Sequence, residues 1–99
     1  MSKDTNNAVM AARRLELLEE DLVCIADLQE HLPHMRIGTN GFRLIARGLL
    51  SSNGERVHLE WVKAGRTFTS KQAIKRFLLR LNGASEAEAA KIVKDGGAA

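Results

Sequence analysis

The chain contains few of the residues that form cross-links, kinks and aromatic cores. Its 99 residues include one cysteine, one proline, no tyrosine and only four aromatic side chains. A single cysteine cannot form an internal disulfide, and with three scattered histidines it gives no metal-ligand spacing. The core must therefore consist mainly of Leu, Ile, Val and Ala. We expect Cys24 to be a small buried apolar residue.

Long apolar runs are also missing. No stretch approaches the ~20 apolar residues that cross a bilayer, and residues 1–7 lack the basic-then-apolar order of a signal peptide. We therefore expect a cytoplasmic protein with no membrane partner. The sequence shows no acid–base pair and no nucleophile with an orienting partner, so we expect neither enzymatic activity nor a cofactor nor a bound metal.

The net charge of +3 conceals an uneven distribution. Residues 1–35 carry three basic and seven acidic side chains, residues 36–80 carry ten and two, and residues 81–99 carry two and three. The middle block therefore has a charge of +8 between two acidic segments. Such a block suits a polyanion such as nucleic acid. A solvated basic face on an ordinary domain is the alternative interpretation.

Apolar residues of the N-terminal third recur at helical spacing. They predict an acidic amphipathic helix over residues 8–20, with Leu15 and Leu18 in its apolar stripe. A short apolar stretch follows, and then one or two helical turns are expected over residues 26–32. Pro33 ends these turns, because proline disfavours helix in the residue before it.

A second short helix is predicted over residues 40–47, with Thr39 as its N-cap and Gly48 at its end. Its apolar residues fall at positions i, i+3, i+4 and i+7 and predict one buried stripe: Phe42, Ile45, Ala46 and Leu49. The opposite face then carries the polar residues of this segment: Asn40, Arg43 and Arg47.

The period changes to two after a turn rich in Ser, Asn and Gly. Val57, Leu59 and Trp61 alternate with polar residues and predict a half-buried strand. Gly65 allows a tight turn, and residues 67–69 form the partner strand. Trp61 either packs in the core or stacks on a base, and the alternation favours the core.

Two further helices complete the expected order of elements. Ser70 is a suitable cap for a helix over residues 70–81, whose apolar stripe is Ala73, Ile74, Phe77, Leu78 and Leu81. Ser85 and Glu88 have the capping-box spacing and predict a last helix that reaches about Lys94.

This order of elements, together with three short motifs, resembles the MerR-like winged helix-turn-helix family of phage excisionases and related small bacterial DNA-binding proteins. The motifs are Leu-Val-x-Ile-x-Asp-Leu from residue 22, Phe-Arg-x-x-x-Arg-Gly ending at residue 48, and Gly-Arg-x-Phe-Thr-Ser-x-x-Ala-Ile-x-Arg-Phe from residue 65. The last motif is the most specific of the three. The resemblance covers residues 22–81.

The resemblance implies an α+β fold, mostly α: a small winged helix-turn-helix with a two-stranded β-hairpin wing and flanking helices. The chain then divides into three parts. Residues 1–21 form an N-terminal acidic amphipathic helix, residues 22–82 form the DNA-binding domain, and residues 83–99 form a short C-terminal helix and a tail.

In a helix-turn-helix unit the second helix lies in the major groove. We expect base-edge contacts from three of its residues: Asn40, Arg43 and Arg47. Phosphate contacts are expected from Arg36, Thr39 and Lys71, the last together with backbone N–H groups at the start of its helix. Wing contacts are expected from Lys63, Gly65 and Arg66. Solubilising charge on a surface helix and an ordinary β-turn are the alternatives for the helix and the wing.

The first functional hypothesis is a sequence-specific DNA-binding protein of the excisionase type, an architectural factor that acts with an integrase. The second is a small MerR-like transcription regulator that acts with RNA polymerase as a dimer, with the N-terminal helix as the dimer face. Dimeric or cooperative binding to double-stranded DNA is expected in both, because one small module makes few base contacts. The third is a protein-interaction adaptor on a winged-helix fold.

Overall fold

Helices and two small antiparallel sheets make up the residues that the computed structural model describes, 11–37 and 41–94. The helices, in chain order, are α1 over residues 11–16, α2 (Leu28–His31), α3 (Gly41–Ala46), α4 (Lys71–Leu81) and α5 (Glu86–Lys94). Single 3-10 turns follow α1 (Leu17–Glu19) and precede α2 (Ile25–Asp27). About half of the described residues are helical, so the predicted α+β class is confirmed.

The strands form one sheet of three and one of two. They are β1 (Leu22–Cys24), β2 (Leu49–Leu50), β3 (Arg56–Val57), β4 (Val62–Ala64) and β5 (Arg66–Ser70). The larger sheet has the order β1-β5-β4, and the smaller one pairs β2 with β3. All pairs are antiparallel.

The caps predicted for α4 and α5 are confirmed. The Ser70 Oγ accepts a hydrogen bond from the Ala73 N–H at 2.8 Å. At α5 the Ser85 N–H donates to the Glu88 carboxylate and the Glu88 N–H donates to the Ser85 Oγ, at 2.9 and 3.1 Å. This reciprocal pair is a capping box. The predicted stripe of α4 is also confirmed, since Phe77 is 2 % exposed and its apolar neighbours are buried or half-buried.

The hairpin around Gly65 is confirmed, but its first strand was predicted at the wrong place. Gly65 has a φ of +81°, and the strand that precedes it is β4, not residues 57–61. Val57 pairs instead with Leu49 in the β2–β3 hairpin. The Leu59 N–H donates to the Leu44 carbonyl at 3.0 Å, which joins this stretch to α3 rather than to a strand. Val57 and Leu59 are buried, as their alternation predicted.

Strand β1 was not foreseen. The sequence predicted only a short apolar stretch there, yet Val23 lies opposite Thr69 in an antiparallel pair. Three residues are too few to show a period of two. The pairing makes the sheet three-stranded rather than the two-stranded hairpin that the sequence predicted. Cys24, expected to be buried, is half-buried at the end of this edge strand.

The buried stripe predicted for α3 was wrong at Phe42 and Ala46, whereas Ile45 and Leu49 are half-buried against the core. Phe42 is 56 % exposed and Ala46 is exposed, whereas Leu44 is 5 % exposed. The reason is Gly41, which is buried so tightly that a Cβ there would lie 2.9 Å from the Ile25 Cγ2. This close approach turns the side of Gly41 and Leu44 inward and places Phe42 outside. Thr39, the predicted N-cap, lies outside the described residues.

The apolar stripe predicted for the N-terminal helix is displaced by a similar rotation. Leu17 is 2 % exposed and packs in a small cluster with Val62 and Ala73, while Leu15 and Leu18 are exposed. The chain leaves the α-helix for a 3-10 turn at Leu17, and the tighter turn changes which residues face inward. The predicted continuous helix to residue 20 therefore ends early.

The main core lies between α2, α3, α4 and the strands. Its buried members are Val23, Ile25, Leu28, Leu32, Ile37, Leu44, Val57, Leu59, Ile74 and Phe77. Trp61, expected in the core, is half-buried, with the Arg14 guanidinium 4.2 Å from its ring centre. This cation–π contact joins α1 to the rest of the chain. The division at residues 21 and 82 stays a prediction, and contacts cross both boundaries.

Candidate nucleic-acid interface

Four arginines surround one groove beside α3. The groove has a volume of about 410 Å³, and its lining comes from the segment before α3, from α3 itself and from β2 and β3: Met35, Arg36, Ile37, Arg43, Leu44, Arg47, Gly48, Leu49 and Arg56. The four arginines are exposed, whereas Ile37 and Leu44 are buried beneath them. No carboxylate of residues 11–37 and 41–94 belongs to this lining. We call this feature the arginine groove.

The local fold explains why these side chains meet. Arg43 lies on α3 and Arg47 directly follows it, four residues on, with its N–H donating to the Arg43 carbonyl at 2.9 Å. Residues at this helical spacing project from the same side. Gly48, with a φ of +66°, then ends the helix and directs the chain into β2. In the β2–β3 hairpin, Arg56 lies opposite Leu50 and points to solvent, while its neighbour Val57 is buried.

Side chains from β3 and the residue after it hold the C-terminal end of α3. The Arg56 Nη1 donates to the Arg47 carbonyl oxygen at 2.8 Å. The His58 Nδ1 lies 2.9 Å from the Ile45 carbonyl oxygen. The last carbonyls of a helix have no partner within the helix, so these contacts satisfy two of the oxygens that α3 and its last turn leave open.

The charge of the arginine groove is not compensated locally. Within residues 11–37 and 41–94, the ion pairs are those of Arg13 with Glu86 and of Arg76 with Glu20 and Glu60. None of these five residues lines the groove. Exposed arginines that line one groove and form no ion pair within these residues produce a local positive potential, which attracts anions.

The predicted wing residues lie at the β4–β5 turn. Lys63, Gly65 and Arg66 are all exposed, and a Cβ added to Gly65 would meet no atom within 4 Å. The tip is therefore open to solvent and narrow. No residue of this turn lines the arginine groove, so the predicted contacts fall into two groups: Arg36, Arg43 and Arg47 at the groove, and the three wing residues at the turn.

Lys71 lies apart from both groups, and the phosphate site predicted around it needs correction. Its backbone N–H donates to the Asp21 carbonyl at 2.9 Å, and the Ala73 N–H is taken by Ser70. These amides therefore have protein partners, and the predicted use of the backbone N–H groups was wrong for them. The exposed Lys71 side chain stays a predicted contact. Thr39 and Asn40 lie outside the described residues.

Sequence reasoning missed one candidate contact and placed one side chain on the wrong face. Arg56 was counted in the basic block but given no role, although its position next to the buried Val57 indicates an outward direction by strand alternation. Phe42 was assigned to the core. No sequence signal identifies it as exposed, because the helical period fits either face and only the packing of Gly41 decides between them.

The described part of the chain brings together no group of three His, Cys, Asp or Glu side chains suited to a metal ion. None of its helices is long and apolar enough to span a membrane. Comparison with protein-family models, with curated proteins and with solved structures finds no match to this chain.

Proposed function

We propose that this chain is a sequence-specific protein that binds double-stranded DNA through α3 and the β4–β5 hairpin. The observation that carries the proposal is the arginine groove, which is lined by four exposed arginines and by no carboxylate of the described residues. Neutralised phosphates supply most of the affinity of a DNA-binding protein. A helix that presents arginines at its outer face suits the major groove, where the guanidinium fork can bond guanine O6 and N7.

The two groups of basic residues suggest two kinds of contact. Arg43 lies on α3, the element proposed to enter the major groove, and Arg47 lies one turn further along, directly after the last residue of α3. Lys63 and Arg66 flank an open glycine turn, and such a narrow tip can follow the edge of a groove. Base contacts then come from α3, and the hairpin contributes affinity without sequence discrimination.

Titration of the protein against duplex DNA over a range of salt tests this proposal. Arg43→Ala is expected to cost about 1–3 kcal/mol on a selected site and to relax discrimination against random DNA. Lys63→Ala is expected to weaken all sequences alike. Lys91→Ala removes the same charge from the exposed face of α5. It is expected to change neither the affinity for DNA nor the discrimination between selected and random sequences. Equal losses on selected and random DNA for Arg43→Ala would contradict the proposal that α3 contacts base edges.

An excisionase-like architectural role and a dimeric regulator both use this module, and one observation favours the dimer. Leu15, Leu18 and Leu22 are exposed on and next to the N-terminal helix. Light scattering of the intact protein and of Leu18→Glu tests whether these leucines join two copies. Footprinting on the DNA that flanks the gene then separates the roles, because protected direct repeats favour excision and an inverted repeat at a promoter favours regulation.

The alternative from a different functional class is an adaptor that binds only other proteins. It predicts no DNA binding at low salt, or binding without a steep decrease as salt rises. Either result would refute the electrostatic basis of the proposal.

A further inference from the structure

We propose that the arginine groove is a phosphate site that holds the sugar–phosphate backbone of one DNA strand, with Arg56 as its fixed ligand. This inference rests on the proposed function and deepens it. It adds the β2–β3 hairpin to the elements that contact DNA.

The chemistry of the lining selects the ligand. Each guanidinium presents N–H donors in a planar fork that matches two oxygens of a phosphate. Arg36 and Arg56 line the groove beside the two arginines assigned to base edges, and no carboxylate of the described residues lines it, so an anion with several oxygens is the ligand that satisfies Arg36 and Arg56. A neutral ligand or a cation would leave the four positive charges in mutual repulsion.

Arg56 is held in place before any ligand binds. Its backbone is fixed by the pairing with Leu50 in the β2–β3 hairpin, and its Nη1 donates to the Arg47 carbonyl. A guanidinium has five N–H donors, so this hydrogen bond leaves most of them available. A long side chain that is already ordered loses less conformational entropy on binding. Arg56 therefore acts as the fixed ligand of the site.

The size and the apolar part of the lining favour a phosphodiester with its sugar over an isolated phosphate. The groove of about 410 Å³ falls within the range of ~300–1,000 Å³ that holds organic ligands. Met35 and Leu49, both half-buried, contribute apolar surface next to the arginines. Deoxyribose carbons can lie against that surface while the flanking phosphate oxygens meet Arg36 and Arg56.

The salt dependence of DNA binding tests the role of Arg56. Removal of one phosphate contact lowers the slope of log K against log [salt] by about 0.9. Arg56→Ala is expected to show this change, with an equal several-fold loss of affinity on selected and random DNA. Arg56→Lys keeps the charge and is expected to keep the slope. Lys91→Ala serves as the charge-matched control, and thermal unfolding of each variant shows that it is folded.

A second measurement uses the protein without DNA. Inorganic phosphate and pyrophosphate are titrated while the backbone amide signals of Ile37, Gly48 and Leu49 are followed by NMR. The expected result is a set of saturable shifts at these residues that Arg56→Ala reduces, with no comparable shifts at Gly65. Shifts spread evenly over all exposed basic residues would overturn the site.

The two experiments distinguish failure of the inference from failure of the proposed function. If DNA binds with a steep salt dependence and Arg56→Ala leaves the slope unchanged, the function stands and the phosphate site at Arg56 is wrong. If phosphate binds in the groove and DNA does not bind at all, the site takes free phosphate compounds and the DNA-binding function is wrong. If neither DNA nor phosphate binds, both the phosphate site and the DNA-binding function are wrong.

Discussion

At the scale of single residues, the arginine groove depends on glycines that bring segments of backbone close together. Gly41 packs against Ile25 and sets which side of α3 faces inward. Gly48 adopts a φ of +66° next to β3, and a Cβ at this position would overlap the Val57 carbonyl oxygen. Only glycine combines this backbone conformation with such a close approach. The position of Arg56 relative to α3 therefore depends on Gly48.

Gly48→Ala is expected to lower the free energy of unfolding by about 2–5 kcal/mol, because left-handed backbone strain and steric overlap both act there. Gly54→Ala is the matched control. Gly54 also has a positive φ, +86°, but a Cβ there would meet nothing within 4 Å. Its cost is expected to be about 1–2 kcal/mol from strain alone. Urea unfolding of both variants checks this, and equal costs would contradict the proposed overlap with Val57.

At the scale of elements, local hydrogen bonds define where the two C-terminal helices begin. Ser70 caps α4 and Ser85 caps α5, each through an Oγ that accepts a backbone N–H three residues on. At α5 the Glu88 carboxylate returns a contact by accepting the Ser85 N–H. This backbone hydrogen bond, with the Ser85 side chain in second place, lowers the pKa of Glu88 below its usual range.

The lowered pKa of Glu88 predicts a pH dependence with a definite sign. A carboxyl whose folded pKa is depressed contributes stability above its unfolded pKa, and that contribution is lost as the pH falls through the folded pKa. We therefore expect the α5 cap to weaken as the pH falls below about 4.5, the ordinary value. NMR titration of the Glu88 carboxyl checks the shift, and Glu88→Gln is expected to remove this part of the pH dependence. A Glu88 carboxyl that titrates with the ordinary pKa would refute the predicted shift.

At the scale of the whole molecule, a small charged network joins segments that are distant in sequence. Arg76 on α4 donates to both oxygens of Glu20 at 3.0 Å and to Glu60 at 2.7 Å. Burial opposes the charge on Arg76, but the hydrogen bonds with these two carboxylates outweigh it and raise its pKa. Glu20 also accepts a hydrogen bond from the Ser70 hydroxyl. The network thus connects the end of the N-terminal segment to the start of α4.

Arg76→Ala is expected to lower the free energy of unfolding by about 1.5–3 kcal/mol, the range for hydrogen bonds to charged groups. Arg76 is 16 % exposed in its side chain, so water replaces its bonds poorly. Its neighbour Lys75 is exposed, and Lys75→Ala is expected to change the stability by no more than about 0.5 kcal/mol. Thermal unfolding compares the two, and a similar small effect of both would show that the network does not stabilise the fold.

The parts of the fold that follow from neighbouring residues were predictable. Ser70, Ser85 and Glu88 have the spacing of caps, and the glycine turn between β4 and β5 was found in place. The exposed positions of Arg43 and Arg47 were also predicted. These features depend on contacts three or four residues apart, or on the conformational freedom of one residue, so the local sequence contains the information.

The sequence by itself determined the α+β class, the two capped helices, the glycine turn and the concentration of positive charge in residues 36–80. Only the tertiary structure decided that Phe42 lies outside, that Leu17 is the buried leucine of the N-terminal segment and that Arg56 joins α3 to form the groove. The physical reason is the distance along the chain between the residues that interact. Periodicity shows that a helix has two faces, but distant contacts, such as Gly41 against Ile25, select the face that is buried.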